Sequence, residues 1–102
     1  MKIIEMLADY IEEEIGDADK YARKALEYKA DYPEMARMFY TLSNEEMEHA
    51  NKLHNSAVIL IEDYRDNHGE PPAEMMAVYE YLHKKQIDRM AAVKLLQSMF
   101  KN

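Results

Sequence analysis

The chain contains no cysteine. Disulfide frameworks, thiol redox centres, thiolate metal sites and cysteine-ligated iron–sulfur clusters are therefore excluded. Glycine and proline are scarce, two and three residues in 102, where an average protein carries about 12% of the pair. Sandwiches, barrels and doubly wound sheets need turn residues every ten or so positions, so this scarcity argues against them. Basic residues are outnumbered, 13 Lys+Arg against 20 Asp+Glu, for a formal charge of -7. No basic stripe offsets that charge, so nucleic acid is not an expected partner. The same field attracts cations. No uninterrupted apolar run approaches the roughly 20 residues that span a bilayer. The opening residues Met1 to Tyr10 carry acids among their apolar residues, unlike a signal peptide. A cytoplasmic protein with no membrane partner is the expectation.

Apolar residues make up 48% of the chain, too many for a disordered acidic segment. The length suits one small domain, whose core would gain from association with further copies. The five breakers are Gly16, Pro33, Gly69, Pro71 and Pro72. Apart from Gly16 they divide the chain into helices over about 2–30, 33–68 and 71–101, and no strand alternation persists in any of them. Strong helix formers dominate throughout. The fold class is thus all-α: an antiparallel helical hairpin followed by a third long helix.

In the first helix Ile4, Leu7, Ile11, Ile15, Ala18, Ala22 and Ala25 recur at steps of three and four. Asp31 and Glu34 have the spacing of a capping box before the second helix, with Pro33 in its first turn. The second helix runs Met35, Phe39, Leu42, Leu53, Ala57, Leu60 and Tyr64 along one face, and Gly69 is its expected stop. Pro71 and Pro72 suit the first turn of the third helix, which places Met76, Tyr79, Leu82, Gln86, Met90, Val93 and Phe100 on one face. Met6, Met35, Met38, Met75, Met76, Met90 and Met99 are spread over all three helices and read as core and interface filler. Gly16 lies inside the first helix, where it costs roughly 1 kcal/mol relative to Ala.

Two charged groups interrupt the apolar face of the second helix: Glu46 and His49, three residues apart and so side by side. Glu-x-x-His on an inward face is a pattern by which helical bundles hold carboxylate-bridged metal pairs. Two such pairs occur, the second being Glu80 with His83. Glu14 interrupts the stripe of the first helix, and Tyr21 stands two turns further on, placed to line the same site or to hydrogen-bond a ligating carboxylate. Glu12 and Glu13 read as solvated, and His54 and His68 as structural or solvated.

The heights of these groups can be compared. The first turn centres near residue 31, so the antiparallel neighbour of Glu14 lies near 48, level with Glu46 and His49. The same construction about residue 70 places residues near 92 of the third helix at that height. Only apolar residues and Lys94 are available there. Glu80 and His83 fall about 15 Å away and read as a surface or interface pair. One chain thus offers two carboxylates and one imidazole, half of a set of four carboxylates and two histidines. A two-fold dimer would duplicate and complete it. Such ligands suit ferrous iron, manganese or zinc.

The segment Glu14-Ile-Gly-Asp-Ala-Asp-Lys-Tyr21 and the segment Glu46-Met-Glu-His49-Ala50-Asn-Lys-Leu53 together resemble the ferritin-like superfamily. The resemblance covers about residues 5–60. The single ligand hairpin is similar to the encapsulated ferritins, half-length chains that build a di-iron site between subunits. It implies a four-helix di-metal bundle completed by dimerisation, and Fe(II) binding with oxidation by dioxygen or peroxide. Glu14, Glu46 and His49 would be the iron ligands and catalytic residues, Glu46 bridging, with Tyr21 behind them. A protein compartment is the location that this resemblance adds to the cytoplasm. The rival readings are a helical oligomer of the same fold without turnover and an adaptor that binds another protein through its amphipathic helices.

Overall fold

A computed structural model describes residues 1–102. It consists of three helices, α1 (Lys2–Tyr28), α2 (Pro33–His68) and α3 (Ala73–Lys101), in an elongated body of 56 × 19 × 17 Å. α1 and α2 form the antiparallel hairpin. α3 returns beside α1 and runs in the same direction, as the pairings of Gln86 with Ala8 and of Lys29 with Phe100 show.

The helix ends follow local chemistry. Pro33 forces its predecessor out of the helical region, so Tyr32, at φ −137° and ψ 68°, is the residue that caps α2. The expected capping box does not form, because Asp31 stands one position too early and no side chain caps α2. Gly69, at φ 80°, ends α2 in the left-handed region that glycine adopts without steric cost. Pro72, at φ −52° and ψ 138°, is extended and caps α3. α3 therefore starts at Ala73, two residues later than expected.

α1 buries Ile4, Leu7, Ile11, Ile15, Ala18, Ala22 and Ala25. These are the residues of its apolar stripe, and they face both neighbours. α2 departs from expectation. Its buried residues are Ala36, Ser43, Met47, Ala50, Ala57 and Ile61. Four of these, Ala36, Ser43, Ala50 and Ala57, are small and recur every seven residues, which lets the backbones of α1 and α2 approach closely. Of the larger residues expected to face inward, Phe39, Leu42, Leu53, Leu60 and Tyr64 are only half-buried and Met35 is exposed; they flank that seam.

One core cluster joins Ile11, Ile15, Ala18, Met47, Ala50 and Val93, and a second joins Ile4, Leu7, Ala57 and Ile61. A buried polar thread ties the three helices together. The Ser43 hydroxyl donates to the Ala18 carbonyl at 2.7 Å and accepts from Gln97 Nε2 at 2.9 Å. α3 itself buries only Gln86 and Val93. The methionines are less internal than expected. Met6, Met35, Met38 and Met99 are exposed, because they lie on the open side of the hairpin or the outer side of α3.

Candidate metal centre

The Ser43–Ala18 bond fixes the register of the hairpin. Carried one turn along α1, that register sets Glu14 opposite Met47, between Glu46 and His49. Glu14, Glu46 and His49 are brought together as the height comparison requires, with one donor atom from each lying within 4.8 Å of the others. The imidazole Nδ1 is 3.5 Å from Glu14 Oε2 and 3.7 Å from Glu46 Oε2. Neither contact is a hydrogen bond, and Glu14 Oε2 is buried with no hydrogen-bond partner. A buried carboxylate oxygen without a donor is costly unless something positive reaches it.

The triad opens on the side of the hairpin away from α3. Glu14 and Glu46 are largely covered, with side chains 27% and 19% exposed, whereas His49 is 49% exposed. Half-buried or exposed apolar residues border it on the same helical faces, Ile3, Tyr10 and Tyr21 from α1 and Met35, Phe39, Leu42 and Leu53 from α2. Tyr21 stacks on Phe39 with ring centroids 6.1 Å apart. It makes no hydrogen bond to the triad in a single chain. α3 contributes no carboxylate or imidazole at this height.

Two further arrangements were not visible in residue spacing. Glu12, read as solvated, is half-buried and forms an ion pair with Arg89 of α3. Gly16, one turn further on, lies beneath that guanidinium; a Cβ there would sit 3.5 Å from the Arg89 terminal nitrogen. The rings of His54 and His83 stack almost in parallel, 4.6 Å apart at an interplanar angle of 10°, and Tyr79 stacks on the other side of His83. Burial pushes the His54 pKa below its ordinary value of 6.5, and the neighbouring His83 pushes it the same way. Burial also raises the Tyr79 phenol. The Glu80/His83 pair therefore divides: His83 joins α2 to α3, and Glu80 is exposed.

No helix is long and apolar enough to cross a membrane. Comparison with family models, curated proteins and solved structures returns no match.

Proposed function

We propose that this chain is a ferritin-like protein that binds ferrous iron with Glu14, Glu46 and His49 and oxidises it, the full di-iron site forming where two hairpins meet face to face. The observation that carries this reading is the unpartnered Glu14 Oε2 within reach of a second carboxylate and an imidazole nitrogen. Carboxylate oxygen and imidazole nitrogen are a donor set for ferrous iron, manganese or zinc. The cation would neutralise two carboxylates that otherwise repel each other in a partly dehydrated place.

One chain offers three donors, fewer than a di-iron site needs. The side on which they open carries Ile3, Tyr10, Tyr21, Met35, Phe39, Leu42 and Leu53, an apolar border suited to a second hairpin. A two-fold axis through that face supplies the same donors again. In this arrangement Glu46, the more covered carboxylate, and Glu14 would hold the ions, and His49 would ligate from the solvent side. Tyr21 supports the α1–α2 contact through Phe39 beside the site. Ferrous iron held there would supply the electrons that reduce dioxygen or peroxide; the protein's part is to hold the ions together and limit the access of bulk water.

Anaerobic titration with Fe(II), followed by admission of air, tests this reading. The expected result is about one iron per chain, dimers or larger, and oxidation faster than that of free iron. Glu46→Ala and His49→Ala are expected to lose binding. Binding by both variants equal to that of the wild type, or no binding at all, overturns the site. Stoichiometric binding without accelerated oxidation leaves a metal-stabilised helical oligomer and overturns the oxidase step.

A further inference from the structure

α3 is apolar on two sides. Its inward stripe includes Tyr79, Gln86, Met90, Val93 and Phe100 and lies against α1 and α2. A second series, Val78, Tyr81, Lys85, Asp88, Ala92, Leu95 and Met99, recurs at alternating steps of three and four without a break. All of these residues are exposed, Val78 at 59%, Tyr81 at 69%, Leu95 at 63% and Met99 at 51%. Alternation of three and four over successive heptads is the spacing by which one helix lies along another. An exposed apolar series at this spacing is one that a second helix can cover.

We propose that this outer seam of α3 pairs with the same seam of a second copy of the chain, antiparallel, about a two-fold axis beside Asp88. The charges within the seam choose the partner and the direction. Lys85 and Asp88 are its only charged members, opposite in sign and three residues apart. A parallel pair would set Lys85 against the partner's Lys85 and Asp88 against the partner's Asp88, with like charges in both layers. The antiparallel pair sets Lys85 against the partner's Ala92 and brings each lysine beside the partner's Asp88, so two ammonium groups flank the two carboxylates at the axis. It also matches sizes. Tyr81 meets the partner's Leu95, Val78 meets the partner's Met99, and the long Lys85 stem crosses the small Ala92. Parallel pairing would oppose Ala92 to itself and leave a gap.

This seam shares no residue with the open side of the hairpin. The proposal is therefore independent of the metal site. If both faces are used, each chain carries two self-complementary contacts. A closed assembly then has an even number of chains, at least four.

The test compares the wild type with Tyr81→Glu/Leu95→Glu by light scattering after size exclusion, with helical circular dichroism as a check on folding. All the altered side chains are exposed, so the fold is expected to survive. The expected result is a smaller particle with unchanged helicity, a monomer where the seam is the one contact and a hairpin-paired dimer where both faces are used. Because the chain lacks cysteine, single thiols report direction. Asp88→Cys is expected to give a disulfide-linked dimer under mild oxidation, and Val78→Cys is not. Unchanged mass in the double variant overturns the proposal. So does cross-linking of Val78→Cys as readily as Asp88→Cys, which means a parallel pair. Reduced mass with no cross-link at residue 88 also overturns it, since another face then occupies the seam.

Discussion

Replacing Glu14 by Gln should make the metal-free protein more stable and the metal-loaded protein less so. Donor oxygens of Glu14 and Glu46 lie within 4.8 Å of each other. Two unit charges at that distance repel by about 3.5 kcal/mol at an effective dielectric constant of about 20. The side chains are 27% and 19% exposed, so water reduces the repulsion, to roughly 1–2 kcal/mol. Gln keeps the shape, and its amide can donate toward Glu46. In a chelating buffer at neutral pH, Glu14→Gln should melt roughly 5–15 °C above the wild type. Metal acts in the opposite direction. A ligand at about 100 times its dissociation constant adds about 2.7 kcal/mol to a protein that binds it only when folded. Anaerobic ferrous iron should therefore raise the melting temperature of the wild type and leave the variant almost unmoved, so that the order of the two proteins reverses. Calorimetric or circular-dichroism melts with and without iron read both effects. A variant less stable than the wild type in chelator would refute the electrostatic reasoning. A variant with the full iron-dependent shift would refute the role of Glu14 as ligand.

Three further outcomes follow from the packing. Ser43→Ala removes a buried hydroxyl that donates to Ala18 and accepts from Gln97, and should cost about 2 kcal/mol in urea unfolding; a loss below a few tenths would mean that the polar thread contributes nothing to stability. Gly16→Ala adds a methyl group in ordinary contact with Arg89 and should stabilise the chain by about 0.5–1 kcal/mol, measured in the same unfolding experiment. The half-buried His54 has a lowered pKa, so the folded chain binds fewer protons than the unfolded one between that value and 6.5. Stability should be greatest above 6.5 and fall as pH drops through it toward the lowered value. His54→Gln should flatten that slope, and an unchanged slope would remove His54 as its cause.

The register that joins Glu14 to Glu46 and His49 was legible because it depends on quantities a sequence carries: where the turn lies and how far a helix rises per residue. α1 was legible to the residue because its single apolar stripe serves both neighbours. α2 was not, because its faces differ in kind. The bulky Phe39, Leu42 and Leu53 mark a flank, whereas the helix contact runs through Ala36, Ser43, Ala50 and Ala57, whose smallness gives a weak apolar signal. The Glu12–Arg89 pair and the His54–His83 stack depend on how far α3 is rotated about α1. No spacing within a helix encodes that angle. The capping box failed for a local reason, since Pro33 assigns the cap to the residue before it.

The seam of small residues has a consequence for chemistry on the other side of the hairpin. Ala18, Ser43 and Ala50 set the gauge between two rails, and the three donors ride on those rails, Glu14 on one and Glu46 with His49 on the other. A methyl group added at Ala50 would widen the gauge and move the carboxylates apart without touching any of them. The spacing of the triad, and with it the size of any ion it would hold, is thus adjustable from behind, by residues on the far side of the hairpin.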